Sequence, residues 1–162
     1  MKRQLALFIG FLMLFTGCTA TQPDVEKWIK GEDEAWSTHD VEKILSFYTE
    51  DCIYEDVADG KIVHGKDEFR VFITGFFKAV PNIKIKTTSF FVSGNHACLE
   101  GVMSGTPKGG TEGFPLPNDK SFSVRVAHIC ELREGKVAKA TDYYDGASLM
   151  KQLGLLPSPQ EP

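Results

Sequence analysis

Apolar and polar positions alternate with a period of two over Ser121–Leu132, which puts Phe122, Val124, Val126, His128, Cys130 and Leu132 on one side of a strand. Ser121, Ser123, Arg125, Ala127, Ile129 and Glu131 fall on the other side. A three-residue turn at Arg133-Glu134-Gly135, with Gly135 left-handed, returns the chain as a second strand over Val137–Asp145. Its alternation brings Ala138, Ala140, Asp142 and Tyr144 onto the face that carries His128. An imidazole and a carboxylate are costly to bury unpaired, so the two form either a satisfied core pair or the polar end of a pocket.

Upstream the period changes. Val25, Trp28, Ile29, Glu32, Ala35 and Trp36 recur at helical spacing. Asp40 can cap a second helix that turns Val41, Ile44, Leu45 and Tyr48 inward. Cys52–Val57 alternates as a strand, and after an Asp59-Gly60 turn Lys61–His64 pairs back beside it. A third helix from Lys66 carries Phe69, Phe72, Ile73, Phe76 and Val80 on one stripe until Pro81-Asn82 ends it. Strands follow at Ile83–Val92, His96–Gly105, Lys120–Leu132 and Val137–Asp145, and a short helix over Gly146–Leu153 closes the domain. Helices followed by a long antiparallel meander predict an α+β domain, its curved sheet wrapped around the helices.

The N-terminus has its own logic. Met1-Lys2-Arg3 is basic, Leu5–Phe15 is an apolar run too short to span a bilayer, and Phe15-Thr16-Gly17-Cys18 ends it. This resembles a bacterial lipoprotein signal peptide over residues 1–17, with lipid carried on Cys18. It implies membrane attachment in the cell envelope, and Thr19 after the cysteine fits the outer membrane or periplasmic face of a Gram-negative cell. Residues 18–24 then read as a tether, 25–156 as one domain and 157–162 as a disordered tail.

Composition narrows the chemistry. The net charge of −4 and the absence of a basic cluster beyond Lys84 and Lys86 argue against nucleic acid as a partner. Cys52, Cys98 and Cys130 form no CxxC pair and read as buried thiols, with no metal or cofactor implied. His39, His64 and His96 fall at turns or strand ends and read as solvated. Gly105–Asn118, rich in Gly and Pro, reads as a long hairpin loop or a lid. Trp28 and the third-helix phenylalanines read as core, whereas Trp36, near the first helix's end, is a pocket candidate.

The element order resembles that of the nuclear transport factor 2-like superfamily, as do Ile53-Tyr54-Glu55-Asp56, Gly105-Thr106-Pro107, Gly135-Lys136-Val137, Asp142-Tyr143-Tyr144-Asp145 and Gln152-Leu153-Gly154. Within it the chain is similar to SnoaL-like polyketide cyclases and ester cyclases. The resemblance implies a cone-shaped roll of three helices on a strongly bent sheet, a deep apolar pocket and a homodimer. It also implies a pocket histidine at His128 and an acid/base aspartate at Asp142. Limonene-epoxide-hydrolase-like members share Asp142 but need an arginine and an aspartate where this chain has Gly101 and Met103. Ketosteroid-isomerase-like members share Asp56, but their oxyanion donors fall near Glu32 and Ala127, neither of which fits that role.

The expected site therefore comprises Asp142 and His128 as catalytic candidates, with Tyr54, Asp56, Trp36, Met103, Val126 and Tyr144 lining a pocket for a small apolar or carbonyl-bearing molecule. An apolar wall raises a carboxylate's pKa and imidazole titrates near neutrality, so the pair suits proton transfer next to a carbonyl. Asp142 is the candidate base, and His128, Tyr54 or Tyr144 the donor to an enolate oxygen. The alternative is an accessory lipoprotein that binds a hydrophobic ligand without catalysis.

Overall fold

The computed structural model describes residues 22–112 and 120–156, with side chains from Glu26 onward. The expected signal peptide, Cys18, most of the tether and the tail lie outside the described residues, as do positions 113–118 of the expected lid and Asp119. The elements are α1 (Gln22–Thr38), α2 (Val41–Ser46), β1 (Tyr48–Asp56), β2 (Lys61–His64), α3 (Gly65–Ala79), β3 (Lys84–Ser93), β4 (His96–Gly105), β5 (Phe122–Arg133), β6 (Lys136–Tyr144) and α4 (Gly146–Gln152). They form an α+β fold, with helices packed on one six-stranded sheet of order β2-β1-β6-β5-β4-β3. None of the described helices is long and apolar enough to cross a membrane.

The helices bury the expected stripes. Ile29, Glu32 and Ala35 of α1 are buried, as are Phe69, Phe72 and Ile73 of α3. α1 begins at Gln22, inside the expected tether, and Pro23 is tolerated because the first helical turn has no intrahelical use for its missing N–H. Asp40 caps α2 by accepting from the Lys43 amide at 2.9 Å. Tyr48 does not extend that helix: Phe47 caps α2 and Tyr48 opens β1, where it is fully buried. A side chain at Gly31 would begin only 2.9 Å from the Phe47 ring, so the glycine lets the end of α2 press against α1.

The sheet departs from a pure meander in one place. β1 runs parallel to β6, while every other neighbouring pair is antiparallel. This joins the first strand to the last and puts Asp56 level with Asp142. Irregularities in register at Thr87/Ser89, Glu131/Leu132 and Tyr48/Ile53 add local bends of the kind that curve a sheet.

The β5–β6 hairpin is tighter than expected. Arg133 pairs with Lys136, leaving Glu134 and Gly135 as a two-residue turn with φ of 53° and 75°. Positive φ at both central residues is the turn whose twist matches a hairpin. The shortened turn is offset by a bulge: Leu132 faces Val137 while Glu131 faces Lys139, so Ala138 is the extra residue. Val137, not Ala138, therefore occupies the core face beside Leu132, and beyond the bulge His128 and Asp142 share a face, as expected, and stand directly opposite one another.

Two apolar clusters hold the layers together. One joins α1, α2 and α3 to the sheet through residues such as Ile44, Tyr48, Phe69 and Ile73. The other packs Leu149 and Leu153 against Phe122, Val124, Val80 and Ile83. The space between them is the cavity described below.

Candidate active site

His128 and Asp142 lie directly opposite one another across β5 and β6. The imidazole Nδ1 and the Asp142 Oδ1 form a short hydrogen bond, with side chains 17% and 21% exposed. The Tyr54 hydroxyl, on β1, donates to the other oxygen of Asp142 at 2.8 Å. Both carboxylate oxygens thus have a partner, while each retains a second lone pair. The remaining ring nitrogen of His128, Nε2, is buried and has no hydrogen-bond partner.

The charge balance at His128 follows from its neighbours. Burial opposes the imidazolium, but the Cys130 sulfur and the Asp142 carboxylate outweigh it and hold the pKa well above the ordinary imidazole value. Cys130 is itself pushed up by burial and stays a thiol at neutral pH, so the carboxylate is the group that keeps the proton there.

A cavity with two chambers surrounds the pair. The inner chamber, about 50 Å³, is lined by Glu32, Asp33, Tyr48, Thr87, Leu99 and His128, among others. The outer chamber, about 160 Å³, is lined by Asp56, Phe72, Phe76, Tyr144, Leu149 and Leu155, among others. Trp36, Tyr54, Ile85, Met103, Val126 and Asp142 line both and mark the junction. In the outer chamber the Tyr144 hydroxyl donates to Asp56 at 3.0 Å and the Asp59 amide donates to its other oxygen at 3.0 Å. Burial raises the pKa of Asp56, and those two donors offset part of the rise.

All eight expected site residues within the domain therefore meet at one cavity. Cys130 and Ala140 are fully buried beneath it and do not line it. Gly101 lines the inner chamber, where a Cβ would lie 2.7 Å from the Lys86 carbonyl oxygen. No arginine fits there, which bars the epoxide-hydrolase arrangement for a steric reason. His39 is not simply solvated: its ring stacks on Phe77 with centroids 4.4 Å apart. Among the described residues, no cluster of His, Cys, Asp and Glu is arranged to hold a metal ion.

Glu32, set aside from the sequence as a poor oxyanion donor, is the principal addition to the site. It is 6% exposed, lines the inner chamber and accepts from the Tyr48 hydroxyl at 3.1 Å. Burial raises its pKa, and neighbouring His128 and the Tyr48 hydrogen bond offset only part of that. The signal was present: an acidic residue on the apolar stripe of the first helix, the same anomaly that made His128 conspicuous. Asp33 also reaches the chamber, but its carboxylate is tied to the Thr87 amide and hydroxyl at 3.2 and 3.0 Å.

The sequence matches the family of SnoaL-like polyketide cyclases over residues 28–153. The chain belongs to that family. Its fold is similar to that of TsrD from Streptomyces laurentii, with a TM-score of 0.73, 20% identity, and coverage of 85% of this chain and 99% of that one. It is also similar to a hypothetical protein of ketosteroid isomerase-like fold from Catenulispora acidiphila in complex with trimethylamine. There the TM-score is 0.68, identity 22%, and coverage 88% of this chain and 100% of that one. TerC, co-crystallised with polyporic acid, gives a TM-score of 0.67 at 15% identity, covering 82% of this chain and 98% of that one. These likenesses establish the fold.

Proposed function

We propose that this SnoaL-like protein is an acid/base enzyme that removes and returns a proton next to a carbonyl of a small, largely apolar molecule. The observation that carries the reading is the hydrogen-bonded His128–Asp142 pair, with His128 on the inner of two apolar chambers and Asp142 at their junction. Asp142 is the base, using a lone pair that neither Tyr54 nor His128 occupies. His128, kept protonated by Asp142, turns its unpartnered Nε2–H toward the enolate oxygen that forms. Tyr54 holds the carboxylate in place. Cyclisation by aldol chemistry and isomerisation both need this first step.

The ligands named for two neighbours, trimethylamine and polyporic acid, support small-molecule binding by this fold. A second reading, non-catalytic binding, draws on the fact that both Asp142 oxygens already have partners, as in a satisfied core pair. The two separate on one variant assayed twice. Across carbonyl, ester and epoxide substrates, Asp142→Asn loses turnover but keeps ligand affinity if the protein is an enzyme. A wild type that turns over none of them, yet binds, favours the second reading.

The setting is part of the proposal. Cys18 carries a lipid that holds the domain at the bacterial cell envelope, and the outer face of the sheet pairs two copies. Phe91, Ile129 and Tyr143 on that face are exposed large apolar side chains, with Cys98 level with both Phe91 and Ile129. Thr141, on the same face, is buried between Glu55 and Ile129, its neighbours on β1 and β5.

A further inference from the structure

Three cavities lie in series across the domain. The outer and inner chambers meet at the neck around Trp36 and Asp142, and the inner chamber shares Asp33 and Thr87 with a surface groove of about 250 Å³ between α1 and β3. Ile29, Lys30, Ser89 and Phe90 stand on the groove side. Asp33 and Thr87 are thus the partition between chamber and groove. They are also bonded to each other, the Thr87 amide and hydroxyl both donating to the Asp33 carboxylate, at 3.2 and 3.0 Å.

The partition joins two layers. Asp33 belongs to α1 and Thr87 to the edge strand β3, so the two bonds fasten the helix to the rim of the sheet. Gly101 of β4 stands level with Thr87, and a Cβ there would lie 2.7 Å from the Lys86 carbonyl oxygen, so the strands are closely packed where they floor the chamber. A water-sized group needs roughly 10–15 Å³, so the 50 Å³ of the inner chamber takes about four non-hydrogen atoms and the 160 Å³ of the outer about a dozen. His128 lines only the inner chamber. A molecule that reaches both His128 and Asp142 therefore presents a short terminus to the inner chamber and leaves its larger end in the outer one.

We propose that the Asp33–Thr87 clasp closes the inner chamber as a blind subsite, and so limits the substrate to one that ends, beside the reacting carbon, in a short group such as an acetyl. The assignment rests on the acid/base reading above for the chemistry at that end, and it adds Asp33 and Thr87 as specificity determinants. The substrate class is that of methyl ketones and similarly short-ended carbonyl compounds on an apolar skeleton. A carbonyl between two long or aromatic arms is shut out. The opposite end of the molecule is freer, because Met150 and Leu155 of the outer chamber are 36% and 47% exposed.

The experiment titrates the full chain with two fluorescent isomers, 2-acetyl-6-butylnaphthalene and 2-hexanoylnaphthalene, which have the same atoms but carry the butyl bulk at opposite ends. The wild type binds the acetyl isomer at least about tenfold tighter, the worth of roughly two methylenes kept out of the pocket. Asp33→Ala, which removes both bonds of the clasp and opens the chamber to the groove, narrows that ratio several-fold by admitting the longer acyl chain. Thr87→Ala, which loses the hydroxyl but keeps the amide, narrows it less, and it carries the test if Asp33→Ala fails to fold. A general loss of packing would weaken both isomers alike and leave the ratio where it was. A wild type with no preference, or the wild-type ratio in every folded variant, overturns the assignment. Because binding is read without turnover, either result leaves the acid/base reading intact, and deuterium exchange tests that reading separately. A wild type that binds neither isomer overturns the pocket reading, and the assignment with it.

Discussion

Tyr54 reaches Asp142 from a strand that runs parallel to the aspartate's own, and its hydroxyl donates to the carboxylate over 2.8 Å. The β1–β6 pairing aligns Tyr54 with Ala140 and Asp56 with Asp142, so the phenol leans along the strand to span the register. The contact ties the first strand of the sheet to the last at the junction of the two chambers.

Tyr54→Phe tests that tie. The ring keeps its stacking on Phe69 at 4.9 Å, but a carboxylate oxygen loses its donor. Urea denaturation should show a loss of about 1–3 kcal/mol, and turnover should fall because the carboxylate is no longer held in place. A variant as stable and as active as the wild type would remove Tyr54 from the site.

Stability should fall as pH rises from about 5 to about 8. Glu32, Asp56 and His128 all have pKa values raised in the folded protein, above ordinary values of 4.5, 3.8 and 6.5. Each binds its proton more tightly folded than unfolded, so its contribution is complete below the unfolded value and is lost as pH rises through the folded one. The exposed carboxyls with lowered values, such as Glu50 and Asp145, act with the opposite sign only at more acidic pH. Denaturation midpoints across this window check the slope, and Glu32→Gln should flatten it. Stability that climbs toward alkaline pH would contradict the assignments.

Much of this geometry is legible in the sequence because strand alternation is a strict rule. The period of two over Ser121–Leu132, continued over Val137–Asp145, puts His128 and Asp142 on one face, and even a misjudged turn length left that shared face intact, since the Ala138 bulge compensated for it. What the pattern does not carry is long-range pairing. Nothing local marks β1 as the parallel neighbour of β6, so the Tyr54–Asp142 and Tyr144–Asp56 bonds are invisible until the sheet is assembled. Glu32 was left out of the expected site for a related reason: helical periodicity says that a face is buried, but not that it faces a cavity.

Cys18→Ser should release the protein from the membrane fraction and abolish its lipid modification, because only the thiol accepts the diacylglycerol. Mass spectrometry of protein from its native envelope reads this out. An unlipidated, soluble wild type would refute the anchor.

Ile129 is 41% exposed and Phe91 65% exposed on the outer face of the sheet. If two copies meet there, light scattering at micromolar concentration should give a dimer, and Ile129→Glu a monomer, since a buried unpaired carboxylate is costly at an interface. A wild type that is strictly monomeric would rule the contact out.

As the proposed base, Asp142 takes a proton from carbon. Incubating the protein in heavy water with 2-acetylnaphthalene and following deuterium entry at the methyl group by NMR measures that step alone, whatever the physiological product. The wild type should accelerate exchange, and Asp142→Asn should lose roughly a hundredfold or more of the acceleration while binding the ketone within a few-fold of wild-type affinity. Exchange that survives in Asp142→Asn, or a wild type that binds the ketone without exchanging it, would contradict the claim and leave a binding protein in its place.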